Sequence, residues 1–213
     1  VGEFTHVCAY ERANLGKSDP APKPRTSEEI VADLHTLLAN AQIQAPYVLV
    51  GHSIGGTIIR VYASKYRDEV VGMVLVDSAH PDQFARERAL LPPETSNESQ
   101  ALKEERQFLR NTTRNDEGLD METSFEQERR ITSLGDLPLV VVASGKRYDW
   151  SPGFPIDVGA KLENDWQEMQ KDLTKLSSAS SIMIATNSGH IIPQDQPEIV
   201  VDAIRQVIDR VRR

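Results

Sequence analysis

Five short apolar runs punctuate the chain: THVCAY at 5–10, YVLV at 47–50, VGMVLV at 71–76, PLVVVA at 138–143 and SIMIA at 181–185. Most are continuously apolar rather than alternating, the pattern of strands covered on both faces. Between the runs the spacing turns helical. Ile30, Leu34, Leu37 and Leu38 share one face of a first helix, and Thr26 followed by Glu29 spells a capping box at its start. Ile58, Tyr62 and Tyr66 repeat the period after the second run, and Ile199/Val200, Ala203/Ile204, Val207/Ile208 and Val211 define a closing helix. Strand–helix alternation of this kind predicts an α/β fold, a mostly parallel sheet with helices on both faces.

Two stretches interrupt the alternation. SDPAPKPRT at 18–26 carries three prolines and reads as an extended connector that resists both helix and sheet. From about Pro81 to Asp136 no strand run occurs, and the segment is rich in Arg, Glu and Gln. Its clusters DQFARERALL, SQALKEERQFLR and SFEQERRI are helix-like, and an insertion of this length is too long for a plain loop. Its charges read singly as a solvated helical surface, and as a unit the segment reads as a helical lid over the strand ends. The expected division is a core of residues 1–80 and 137–213 with a cap insertion at 81–136.

Composition narrows the function without selecting it. A length of 213 residues fits one domain with a full core, and 39% hydrophobic with 26% charged residues is ordinary for a soluble globular protein. The 24 basic against 32 acidic residues give −8, which disfavours a nucleic-acid partner and an anionic membrane surface. No run is long and apolar enough to span a bilayer. Cys8 is the only cysteine, so an intrachain disulfide and a Cys-rich metal site are excluded; lying in an apolar run, it reads as a buried, inert thiol. The five histidines follow no metal-ligand spacing, and no metal or organic cofactor is implied. Residues 1–10 lack the basic and apolar regions of a signal peptide, which with the single cysteine favours a cytoplasmic location. Oligomeric state is not encoded legibly.

The chemistry concentrates in YVLVGHSIGG. Gly51-His52-Ser53-Ile54-Gly55 fits G-x-S-x-G, a short pattern that gains weight only when a strand precedes it and a helix follows. Both are expected here. The glycines would let strand turn into helix with Ser53 strained at the tip, and the Ile54 N–H would face a developing oxyanion at the helix start. The competing reading is a tight corner whose serine merely caps the helix. A serine hydroxyl needs a base, and His190 in NSGHIIPQDQPEIV, on a loop after the last strand run, is the best candidate. His6, His35 and His80 lack such a position, and His52 reads as packing or a pocket wall.

The succession THVCAYERANLGKSDP, YVLVGHSIGG, VGMVLVDSAHPDQ, PLVVVASG and NSGHIIPQDQPEIVVDAI resembles the α/β-hydrolase superfamily over essentially the whole chain. The resemblance implies a Ser–acid–His triad in that chain order and a helical cap between the sixth and seventh strands of the fold. In many members the acid follows the seventh strand, which here gives Asp149 in ASGKRYDWSPG, and in others the sixth, which gives Asp77 at the end of VGMVLVD. Asp77 is favoured because a strand end gives rigid placement; the competing readings are a strand-end carboxylate taking backbone N–H bonds and, for Asp149, a turn residue. It implies a serine hydrolase acting on small carboxylic esters, or else thioesters or amides, with a small ester-like molecule as its partner. The alternatives are a non-catalytic, hydrolase-like ligand-binding protein, an inactive truncated hydrolase, or a lyase on the same fold. THVCAYERANLG corresponds to the family's fourth strand, so the N-terminal strands of the fold, and the His-Gly loop that gives a second oxyanion N–H, are expected to be missing. Either YVLV then lies at an open edge or residues 1–10 pair with it. Glu11 and Asn14 stand where the family often has Asp and Gly.

Overall fold

The computed structural model describes residues 1–113, 115, 117–146 and 152–212. Residues 1–26 run as turns and irregular chain, followed by helix α1 (Ser27–Asn40) and strand β1 (Tyr47–His52). Helix α2 (Ile54–Lys65), a 3-10 turn at Arg67–Glu69 and strand β2 (Val70–Val76) complete the first half of the core. The segment after β2 carries α3 (Gln83–Leu90), α4 (Gln100–Arg110) and α5 (Met121–Arg129), each overlapping one of the helix-like clusters of the sequence. Strand β3 (Leu139–Ser144), helix α6 (Ile156–Thr174) and strand β4 (Ser180–Ala185) follow. The short α7 (Ile192–Asp195) and the long α8 (Pro197–Val211) close the chain.

The four strands form one sheet in the order β1-β2-β3-β4, every pair parallel. Side chains alternate across it as period two requires. Met73 and Leu75 of β2, with Leu139 and Val141 of β3, face Ile58 and Tyr62 of α2 and Leu173 of α6. Val74, Val76, Val140 and Val142 face the opposite way, onto Ile199, Ala203 and Val207 of α8. Burial on both faces is why β2 and β3 read as continuous apolar runs. The edge strands are less covered: Val50 of β1 is 42% exposed and Ile184 of β4 43%.

At the start of α1 the expected capping box is present, with Glu29 accepting from the Thr26 backbone N–H at 2.7 Å. The proline connector forms neither helix nor strand and is tied to the inserted segment: Arg25 N–H donates to Gly118 O at 2.8 Å, and Asp120 N–H to Arg25 O at 2.6 Å.

Two expectations fail in the first ten residues. THVCAY forms no strand, and Cys8 is exposed rather than buried. The reason is geometric: an apolar run becomes a strand only when a neighbour takes its N–H and C=O groups, and among the described residues β1 pairs with β2 alone. The run therefore remains irregular and β1 is an open edge. Asn14, where a glycine was the family-like residue, sits at φ 72°. Asparagine is one of the few side chains that tolerate this left-handed backbone, so the substitution keeps the turn.

Candidate functional site

Three strand ends meet at one place. Ser53 follows β1, Asp77 follows β2, and His190 lies in the loop after β4. All three are at the carboxyl ends of parallel strands, where open α/β sheets leave a crevice. Ser53 caps the N-terminus of α2 at φ 54° and ψ −125°, outside the common regions for a non-glycine residue. The turn that holds it there needs bare backbone. A Cβ on Gly51 would lie 2.5 Å from the Gly55 carbonyl carbon, and one on Gly56 would lie 1.9 Å from Ser78 Oγ. Gly55, by contrast, has open space around it, so only two of the three glycines are demanded by close approach.

The structure brings Ser53, His190 and Asp77 into one hydrogen-bonded line. His190 Nδ1 is 2.7 Å from Asp77 Oδ2, and His190 Nε2 is 3.1 Å from Ser53 Oγ. A carboxylate at Nδ1 requires the proton there, which leaves the Nε2 lone pair facing the serine hydroxyl. Asp77 is 1% exposed and also lies in the left-handed region, at φ 39°. Its second oxygen, Oδ1, accepts from the Ser144 N–H at 2.9 Å and from Trp166 Nε1–H at 3.0 Å. Three donors thus converge on one buried carboxylate and fix its orientation. Asp149 falls outside the described residues. Ile54 opens α2, and helix geometry leaves its N–H without an intrahelical acceptor, beside Ser53.

Two neighbours of His190 escaped sequence reasoning. Trp166 donates to Asp77 and also stands edge-on to the His190 ring, with centroids 6.0 Å apart. The amphipathic period of α6, buried at Val158, Leu162, Met169 and Leu173, was the signal that could have placed it. His52, read as packing or a pocket wall, packs on His190 and does more: the rings lie 4.7 Å apart, and its Nε2–H donates to the His190 carbonyl at 2.7 Å. Burial lowers the His52 pKa, so it stays neutral and spares His190 a neighbouring charge. His35 stacks on Tyr66 at 3.9 Å, and His80 Nδ1 accepts from the Asp82 N–H at 3.1 Å; neither reaches the site.

A cavity of about 230 Å³ opens beside Asp77 and His190. Its other walls come from α3, α4 and α6, including Glu87, Glu105, Phe108, Leu162 and Trp166. Phe84 of α3 and Phe125 of α5 pack with Ile54, so the inserted segment rests directly on the turn at Ser53. Among the described residues no cluster of His, Cys, Asp or Glu has the grouping of a metal site, and no helix is long and apolar enough to cross a membrane.

Burial raises the Glu87 carboxyl to about 8, with Glu105 and Asp165 adding to the rise and the Gln83 amide opposing it. At neutral pH the pocket therefore presents a protonated acid, a donor as well as an acceptor. The linkage has a definite sign: the folded state holds a proton that the unfolded chain releases near pH 4.5. Stability from this group is fully present below that value and is lost as pH rises towards 8. Glu87→Gln is expected to be nearly neutral at pH 5 and to stabilise the protein by on the order of 1–2 kcal/mol at pH 8.5, allowing for screening at the pocket mouth. Urea melts at the two pH values check this; equal shifts at both would exclude it.

The chain has relatives among known proteins. A family model described as alpha/beta hydrolase fold matches residues 5–212. The protein YqjL of Bacillus subtilis is 32% identical over 94% of this chain and 72% of its own length. An esterase structure from Thermogutta terrifontis superposes with a TM-score of 0.60 at 22% identity, covering 94% of this chain and 78% of that one. A bromoperoxidase structure from Bacillus anthracis gives a TM-score of 0.59 at 16% identity, covering 94% and 80%. At these identities the two structures speak to the fold alone.

Proposed function

Because the chain belongs to the α/β-hydrolase family, we propose that it is a serine hydrolase that cleaves small carboxylic esters through an acyl-enzyme on Ser53. The observation that carries the reading is the continuous line Ser53 Oγ–His190 Nε2–His190 Nδ1–Asp77 Oδ2, with contacts of 3.1 and 2.7 Å. Each element has its counterpart in the chemistry of acyl transfer. His190 takes the Ser53 proton as Oγ attacks the ester carbonyl, and Asp77 stabilises the imidazolium that results. The Ile54 N–H stabilises the oxyanion. When the tetrahedral intermediate collapses, His190 hands its proton to the departing alkoxide. Water then repeats the sequence on the acyl-enzyme, releasing the carboxylic acid and regenerating Ser53.

Residues 81–136 act in this reading as a cap over the 1–80 and 137–213 core, its helices forming the wall that selects substrate. A cavity of about 230 Å³ suits a small acyl or alcohol group. The aromatic and aliphatic faces of Phe108, Leu162 and Trp166 would hold its apolar part.

An alkyl fluorophosphonate tests the assignment directly, because it phosphonylates only an activated serine. Stoichiometric labelling mapped by peptide mass spectrometry to Ser53, together with hydrolysis of p-nitrophenyl acetate, is expected. A folded protein that takes no label but binds an ester analogue saturably would be a ligand-binding protein instead.

A further inference from the structure

Arg60 is buried to 1% exposure in α2, about two turns beyond the Ser53 corner, and its contacts run to residues that flank both strained positions of the site. Its Nε–H donates to Gly56 O at 3.0 Å, and its Nη2 donates to Ser78 Oγ at 3.0 Å and to Ala79 O. Its Nη1 forms an ion pair with Glu128 of α5, itself 3% exposed. Ser78 and Ala79 directly follow Asp77. The Ala79 N–H also donates to the Ser53 carbonyl at 3.1 Å, and Gln170 of α6 donates to Ser78 O at 2.8 Å. The loop after Asp77 and the turn at Ser53 are therefore joined directly, by the Ala79 N–H and by a longer Ser78 Oγ contact of 3.4 Å to the Ser53 carbonyl, and again through the guanidinium.

A buried ion pair adds little net stability over apolar residues of the same volume, so stability alone does not account for one at this place. The strain does offer a reason. Ser53 at φ 54° and Asp77 at φ 39° both hold backbone that their side chains disfavour, and such conformations persist only where the surroundings over-determine them. A planar fork with several fixed donors is suited to that task in a way a lysine is not.

We propose that Arg60 is a positioning residue for the Ser53–His190–Asp77 reaction, locking the Asp77–Ala79 loop to the Ser53 turn, and that Glu128 ties this lock to the inserted segment that roofs the pocket. The assignment rests on the serine-hydrolase reading. It makes the seating of α5 and the aim of Asp77 one mechanical unit: helices that close over substrate also set the carboxylate that orients His190.

Arg60→Met alone strands a buried carboxylate, so the deciding protein is Arg60→Met/Glu128→Leu, which replaces the pair with apolar groups of similar volume. Two readouts are taken on folded protein. One is the second-order rate of fluorophosphonate labelling. The other is the low-field proton resonance of His190 Nδ1–H, assigned by its loss in His190→Gln, which reports the Asp77–His190 contact without any turnover. The double variant is expected to melt cooperatively, to label roughly 10²-fold more slowly and to show the resonance displaced or broadened. Arg60→Lys, which keeps the charge but cannot serve Gly56, Ser78 and Ala79 together, is expected not to restore either readout. Ser78→Ala, which removes one Arg60 acceptor together with the longer Ser78 Oγ–Ser53 carbonyl contact and strands no charge, is expected to slow labelling several-fold and to displace the resonance, and serves if the double variant does not fold. Wild-type labelling and an unmoved resonance in these folded variants would overturn the positioning role. If wild-type protein itself takes no label, the hydrolase reading falls, and the resonance alone decides whether Arg60 aims Asp77.

Discussion

Ser53→Ala is expected to lower kcat for p-nitrophenyl acetate by about 10⁴- to 10⁶-fold and to abolish fluorophosphonate labelling, while leaving the fold intact. The loss is large because no other group can take over the attack: the hydroxyl is the one nucleophile in line with His190 Nε2. The fold survives because the side chain contributes little else. Among the described residues its Oγ bonds only to His190, whose side chain is 33% exposed and can turn to water. Ser53→Gly sharpens the test. Ser53 sits at φ 54°, where any Cβ is strained by an amount on the order of 1 kcal/mol that glycine does not incur. The glycine protein should be as inactive as the alanine one yet more stable by about 1 kcal/mol in urea melts. Such a gain would identify the strained corner as a conformation held for function at the expense of stability. A Ser53→Ala protein that turns over within tenfold of wild type would instead leave the corner as a helix cap.

How far this arrangement could be read beforehand depended on whether a residue's partner lies nearby in sequence or across the fold. Local rules placed α1 through Thr26 and Glu29, and the apolar runs of β2 and β3 through burial on both faces. The same rules pointed to Ser53, because glycine demand at a strand–helix corner is a local property; even there, Gly55 turned out to need no such freedom. Position after a strand run was enough to pick out His190 and to favour Asp77. The rule failed for THVCAY, since a strand's stability comes from a neighbour and the run has none among the described residues. It also failed wherever one long helix reaches across: Trp166 and Gln170 come from α6, and nothing local marks either as a partner of the Asp77–Ser78 corner. The Arg60–Glu128 pair is the extreme case: Glu128 lies in the inserted segment, whose charges read singly as solvated surface, and nothing local singles out Arg60.

Asp77→Asn is expected to lower kcat by about 10⁴-fold with the protein still folded, and the hydrogen bonds around the carboxylate say why an isosteric change should be so damaging. Oδ1 accepts from two fixed donors, the Ser144 N–H and Trp166 Nε1–H. Asparagine must keep its carbonyl oxygen on that side, because an amide NH₂ there would face two N–H groups. Its NH₂ is then directed at His190 Nδ1, where the carboxylate Oδ2 stood at 2.7 Å. Facing a donor, Nδ1 must become the acceptor, so the imidazole proton moves to Nε2 and points at Ser53 Oγ. The ring keeps its place and loses its function: an Nε2–H cannot accept the serine proton. Labelling should fall in parallel with kcat while KM changes little, since Asp77 lines the pocket and the isosteric change keeps the shape of that wall. Trp166→Phe separates the two halves of the argument. It removes one Oδ1 donor but leaves the Ser144 N–H and the carboxylate charge, and a loss of roughly tenfold is expected. If Asp77→Asn costs less than tenfold, the orienting acid is another group, and Asp149 becomes the residue to replace next.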